Sequence, residues 1–265
     1  MPFRRAQVAS ALLIPFVLAA APACGRGDES APAVPPAPAA AEVVAERPRV
    51  AERAAAADTL PPRGIDVSHW QGRVDWRAVE EAGIGFAFLK ATEGTTFVDP
   101  TFRGHWAALG ETRILRGAYH RFRPGRDATA QAEHFLTVVS LRPGDLPPVL
   151  DVGETDGISG ERVVRGARAW LRIVEQRTGV RPIVYTQPSF RRTHLGTALD
   201  DYPLWTGEYD VDAPSARRWA FWQHSQQGRV PGIAAMVDLN RFSGTHAELR
   251  QLAVSRAPGT DTTKR

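Results

Sequence analysis

Acidic side chains recur where apolar runs give out. Asp66 closes the run that begins at Gly64, Glu93 follows Ile84–Ala91, and Asp151 stands near the end of Pro147–Val152. Glu208 ends Pro203–Glu208, and Asp238 lies within Ala235–Phe242. A single acid at a strand end is commonly a turn cap. Several brought to one place are costly unless they ligate a metal or share protons, and a shared proton is what hydrolysis of a glycosidic bond requires: one acid neutral, another ionised. Aromatic residues fall near the same ends, namely Trp70, Tyr119, Tyr185, Trp205 and Trp222, and offer flat apolar faces to sugar rings.

The elements between these acids alternate in type. Asp75 precedes a short helix carrying Trp76 and Val79 and stopped at Gly83, before the strand Ile84–Ala91. Asp99 with Pro100 opens a helix whose Phe102, Trp106 and Leu109 share a face, and Ile114–Phe122 follows as a strand. Asp127 caps Ala128–Ser140 ahead of Pro147–Val152, and Ser159 precedes a helix that stops at Gly179 before Pro182–Thr186. Four strand–helix units in series predict a parallel sheet with helices outside. The later strands, Pro203–Glu208, Trp219–His224 and Ala235–Phe242, are joined by short links poor in helix signals. The expected fold is therefore α/β, an irregular TIM-like (β/α) barrel with a helix-poor second half, whose reactive side chains gather at the carboxyl ends of the strands.

Outside this region the composition changes. Met1–Arg5 is short and basic, Val8–Ala21 is apolar, and Ala21-Pro22-Ala23 is a small-residue cleavage signal, so residues 1–23 read as a secretory signal peptide and export is expected. Cys24, the chain's only cysteine, follows directly. It is placed for lipidation and attachment to a bacterial membrane; ordinary cleavage with release is the other outcome. Residues 24–61 are rich in Ala, Pro, Glu and Arg and read as a flexible tether, 62–253 as one domain, and 254–265 as a disordered tail. The domain is expected to act as a monomer.

Other chemistries find little support. The seven histidines are scattered, and neither a His-Glu-x-x-His pattern nor a cysteine cluster occurs, so no metal and no cofactor is expected. The net charge of +4 comes without a dense basic run, which argues against nucleic acid and suits an anionic cell wall.

Seven stretches in order, "GIDVSHWQGRVDW", "FAFLKATEGTTFVDPTF", "RGAYHRFRP", "PPVLDVGETDG", "RPIVYTQPSF", "LWTGEYD" and "FWQHSQQGRVPGIAAMVDLNRF", resemble the strand-end motifs of glycoside hydrolase family 25, the N-acetylmuramidase lysozymes. The resemblance spans Gly64 to about Phe242. It implies an irregular β/α barrel, peptidoglycan glycan strands as substrate, and cleavage of the β-1,4 bond between N-acetylmuramic acid and N-acetylglucosamine. By the same resemblance Asp66, Asp151 and Asp238 match catalytic acids, with Asp151 beside the anomeric carbon. Trp70, Glu93, Tyr119, Tyr185, Trp205, Glu208 and Trp222 are candidates to bind substrate. One position departs from the pattern: the family usually reads Asp-x-Glu on the fourth strand, with the glutamate as proton donor, and here that place is Gly153. Three outcomes are open. A bulge at Gly153 re-aims Glu154 into the vacant place; another acid, Asp66 or Glu93, donates; or the domain binds glycan with impaired turnover.

Overall fold

The computed structural model describes residues 60–255. The expectations for residues 1–23 and Cys24, and for most of the tether and tail, lie outside the described residues. Nine strands form one sheet: β1 (Arg63–Val67), β2 (Phe86–Glu93), β3 (Phe97–Val98), β4 (Leu115–Arg121), β5 (Val149–Asp151), β6 (Ile183–Thr186), β7 (Leu204–Gly207), β8 (Phe221–Gly228) and β9 (Val237–Phe242). The pairing order β1-β9-β8-β7-β6-β5-β4-β2, with β1 also paired to β2, closes a barrel of eight strands, and β3 is a flap on the end of β2. Pairing from β1 through β2 and β4 to β8 is parallel, while β9 runs antiparallel to both β8 and β1.

Helices cover the first half as the sequence predicts: α1 (Trp76–Glu81), α2 (Phe102–Leu109), α3 (Ala128–Val138) and α4 (Gly160–Thr178). Asp75 and Asp127 cap α1 and α3 through their carboxylates, and Gly179 ends α4 in the left-handed conformation, at φ 69°. After β6 come only a helical turn, Pro188–Phe190, a π-turned segment, Arg191–Leu195, and near the end α5 (His246–Leu252). Two expectations need correction. The helix after β2 begins at Phe102 and not at Pro100, although Asp99 Oδ1 accepts from Thr101 N–H at 3.0 Å. Val254 is no part of a frayed tail: it is buried, and its backbone N–H and C=O bond to Asp145 and Gly144.

Strand alternation divides the apolar residues into two cores. Ile65, Val67, Ala87, Leu89, Ala118, Leu150, Val152 and Val184 point outward and pack against the helices with Phe135, Trp170 and Leu171. Phe86, Phe88, Val149, Ile183, Trp205, Phe221 and Phe242 fill the inside. Eight strands leave an interior just wide enough for side chains, so ring must fit ring. Phe88 stacks on Trp205 at 4.7 Å and meets Phe221 edge-on at 5.1 Å. Gly64 and Gly117 make the space: a Cβ there would lie 2.3 Å from the Phe86 ring and 2.5 Å from the Phe88 ring. The aromatic plug is the floor beneath the polar layer of the site.

Candidate active site

Above the plug the inward positions turn polar. Asp66 on β1 and Asp238 on β9 are register partners on adjacent antiparallel strands, so their side chains share the inside of the barrel. The Gln223 amide donates to Asp66 at 2.8 Å and to Asp238 at 3.1 Å, and the Asn240 amide donates to Asp66 at 2.7 Å. Both amides reach the same Asp66 oxygen, Oδ1, which leaves Oδ2 for a proton shared with Asp238. Burial, and then the neighbouring Asp238 charge, push Asp66 well above the ordinary carboxylate range. Asp238 is raised too, by burial, while its hydrogen bond from Asp66 pulls the other way. Both carboxyls of the pair are thus pushed towards the protonated form.

Asp151 ends β5 and is also buried, but its company differs. Burial raises it to about 6, against the pull of the Arg121 and Lys90 charges; Asp66 and Glu154 add to the rise. Arg121 lies 3.5 Å from its carboxylate. Tyr119, on the inward face of β4, is held as a neutral phenol by burial and then by the charges of Asp66, Asp151 and Asp238. One layer thus contains an acid pair pushed towards the protonated form and a separate carboxylate raised to about 6.

The paired residues of β5 end at Asp151, two positions before Gly153. The pairings of β5 with β4 and with β6 show no register shift, and Val152 stays bonded to β6, donating to Tyr185 C=O at 2.9 Å and accepting from the Thr186 hydroxyl. A Cβ on Gly153 would meet only Asp151 Oδ1, at 3.5 Å. The irregularity falls instead in β2, between Lys90 and Thr92, and turns Glu93 towards Lys90 at 2.7 Å and Arg123 at 3.6 Å. Glu154 does reach the mouth, where each of its oxygens is taken by a guanidinium, Oε1 by Arg121 and Oε2 by Arg123 at 2.8 Å. Arg121 thereby bridges Asp151 and Glu154.

The aromatic candidates divide into three groups. Trp70 stands at the rim with 77% of its surface exposed. Tyr185 and Trp205 are supports: the Tyr185 hydroxyl donates to Gln223 Oε1 at 2.7 Å, and Trp205 Nε1 donates to Asn240 Oδ1 at 2.9 Å. At 2% exposure Trp205 is barrel core and has no face to offer a sugar, which corrects the expectation that it binds substrate. Trp222 also needs correction. It follows the inward Phe221, so alternation turns it to the outside of the barrel, where it is buried and bonds to the Glu208 carbonyl. Glu208 spends its carboxylate on the backbone and hydroxyl of Ser215, which shapes the loop after β7.

Sequence reasoning passed over Arg121, Gln223, Asn240 and Tyr209, whose hydroxyl also bonds to Gln223 Oε1. All four stood inside the quoted motifs, in "RGAYHRFRP", "LWTGEYD" and "FWQHSQQGRVPGIAAMVDLNRF". Amides carry no charge signal, and only the strand register shows which of them face inward. Among the described residues no group of three His, Cys, Asp or Glu side chains is arranged to hold a metal ion.

Comparison with known proteins agrees with this geometry. The sequence model described as Glycosyl hydrolases family 25 matches residues 65–233. The chain is 44% identical over 194 residues to Uncharacterized protein YegX of Escherichia coli K12, covering 71% of each chain. It is 36% identical over 222 residues to Lysozyme M1 of Streptomyces globisporus, covering 76% of this chain and 74% of that one. Its fold matches the crystal structure of the bacterial lysozyme from Streptomyces coelicolor with a TM-score of 0.70 and 35% identity, over 74% of this chain and 98% of that one. Sequence match, closed eight-stranded barrel and structural likeness together show that the chain belongs to glycoside hydrolase family 25, the family of these lysozymes.

Proposed function

We propose that the chain is a muramidase, hydrolysing the β-1,4 bond between N-acetylmuramic acid and N-acetylglucosamine, and that it works without a glutamate at position 153. One observation carries the proposal: the buried layer sets Asp66 and Asp238 face to face on adjacent strands, apart from Asp151, an arrangement that favours one neutral and one ionised acid. Two carboxyls facing each other out of water cannot both ionise, so Asp66 and Asp238 retain a proton. Asp151, beside Arg121, is the ionised partner above about pH 6. In this reading Asp66 donates to the leaving oxygen, and Asp151 supports the developing charge at the anomeric centre or orients the substrate's acetamido group. Tyr185 and Tyr209 hold Gln223, and Trp205 holds Asn240, so the pair is fixed by its own supports. Export, with release or attachment through a lipid on Cys24, and action as a monomer belong to the same proposal and rest on the sequence.

A second reading has its own observation. The place beside Asp151 is empty of a side chain, and Glu154 has both oxygens occupied by arginines, which favours glycan binding with impaired turnover. Release of reducing ends from purified peptidoglycan separates the readings. Native turnover that Asp66→Asn abolishes, and that Glu154→Gln leaves within about threefold, supports donation from the pair, since general acid catalysis is worth about 10²–10⁴-fold. Native turnover abolished by Glu154→Gln makes Glu154 the donor. Saturable binding with no turnover establishes the second reading.

A further inference from the structure

The outward face of the barrel changes character where the helices give out. Asp66, Asp238 and Gln223 point inward, so alternation turns Arg63 on β1, Arg241 on β9 and Trp222 on β8 to the outside. The register makes them one row across three strands, Trp222 beside Arg241 and Arg241 beside Arg63. The Arg241 guanidinium lies 5.8 Å from the centre of the Trp222 ring. Trp219, 6.2 Å from Trp222, carries the row on to Arg217 and Arg218, which border a groove together with Phe242 and Ser243. The links 208–220 and 229–236, on either side of β8, contain no helix, and all four arginines are exposed.

Two features set this row apart from the rest of the surface. Among the described residues none of its four arginines is paired with a carboxylate, whereas Arg113, Arg116, Arg121 and Arg123 all are. Like charges directly opposite each other on paired strands repel, so setting Arg63 against Arg241 costs stability until an anion lies over both. The second feature is position. Arg63 opens β1, the reversal of β9 brings Arg241 to the same end, and Trp222 is the second residue of β8, so the row lies towards the strand starts and away from the mouth. Residues 1–59 join the barrel at this end through Leu60, an apolar side chain 67% exposed and three positions before Arg63.

We propose that Arg63, Arg241, Arg217 and Arg218, with Trp219 and Trp222 among them, bind the anionic headgroups of a phospholipid membrane and hold the barrel with its mouth turned away from the bilayer. Charge and chemistry name the occupant first. A guanidinium matches the oxygens of a phosphate in paired hydrogen bonds, and tryptophan beside cationic side chains suits the headgroup level, where an apolar ring and a wet edge are both satisfied. Place in the chain names it second. The residues that precede the barrel include the apolar run Val8–Ala21 and Cys24, and a chain held at a bilayer through them meets it with the Leu60 end first. The row then adds a second attachment to whatever lipid Cys24 carries, and does not depend on that lipid. It needs no turnover either, so it stands apart from the muramidase reading.

The test is sedimentation of the full chain, carrying Cys24→Ala so that no lipid is attached, with sucrose-loaded vesicles. One set is phosphatidylcholine alone, the other equal parts phosphatidylcholine and phosphatidylglycerol. The anionic vesicles are expected to bind more tightly, and Arg63→Gln with Arg241→Gln to weaken that binding about 25-fold, at about fivefold for each arginine. Arg63→Lys with Arg241→Lys keeps most of it. Residues 1–23 are the same in every variant, so the difference belongs to the row. Unchanged binding of the double glutamine variant to anionic vesicles overturns the proposal, and so does equal affinity of the parent chain for both vesicles. A loss seen only with purified cell wall bearing anionic polymers, and not with vesicles, assigns the row to a wall polymer and overturns it as well. Unfolding at the parent temperature shows that the double variant is intact. Arg217→Gln with Arg218→Gln, in the link before β8, gives the same reading independently and is expected to show a loss of the same kind.

Discussion

Replacing Gly153 by glutamate should raise turnover. An added Cβ meets nothing closer than Asp151 Oδ1 at 3.5 Å, and Gly153 is not among the glycines with positive φ, so the backbone accepts a side chain there without strain. The Cβ position at residue 153 lies towards the Asp151 carboxylate. A carboxyl placed about 5 Å from Asp151 repels it by about 3 kcal/mol at an effective dielectric of about 20, equivalent to about 2 pKa units. Asp151 already stands at about 6, so the pair would hold one proton close to neutrality, which is the state a general acid needs. Donation is worth about 10²–10⁴-fold where no donor exists; because the native chain already draws on the Asp66 proton in the proposed mechanism, a gain smaller than that is expected in reducing-end release from purified peptidoglycan. Gly153→Gln fills the same space without a transferable proton and should give no gain. An equal gain in both variants, or none in Gly153→Glu while glycan binding and the circular dichroism spectrum stay native, would refute the reasoning.

Two further predictions concern stability. Asp151 is raised from its ordinary 3.8 to about 6, so between those values the folded chain binds more protons than the unfolded one, and stability falls as pH rises through that window. Asp151→Asn removes this cost, of order 2–3 kcal/mol above about pH 6 by linkage; its Tm should exceed that of the native chain at neutral pH and approach it near pH 4, as scanning calorimetry at both values would show. Gly64→Ala drives a methyl into the Phe86 ring, a Cβ contact of 2.3 Å, and should lower stability by about 1–3 kcal/mol, read from the midpoint in urea.

Much of this was visible in the sequence, for identifiable reasons. Apolar runs ending in an acid marked the barrel strands and put Asp66, Asp151 and Asp238 at one mouth, because a strand end at the barrel rim is where a carboxylate can stand beside an apolar interior. Pairing of Asp66 with Asp238 was not visible. It depends on the reversal of β9, which no local pattern encodes. The arginine pairing of Glu154 was hidden in a similar way. Its partners Arg121 and Arg123 stand two positions apart on and just beyond β4, and strand spacing aims both at the segment after β5, but in the sequence they were only two charges among many. Trp205 and Trp222 had equal standing as mouth aromatics until alternation put one in the plug and the other outside the barrel.

The reversal of β9 also bears on when the centre comes into being. Asp66 lies in the first strand and its partners Asp238 and Asn240 in the last, with 174 positions separating Asp66 from Asn240. Contacts of such long range carry the greatest loop-closure cost and belong to the completed fold. An unfinished or clipped chain, however much of its helical half has formed, has no proton-sharing pair. Hydrolytic competence therefore switches on with the closure of the ring, and its appearance during refolding can serve as a clock for the final step of assembly.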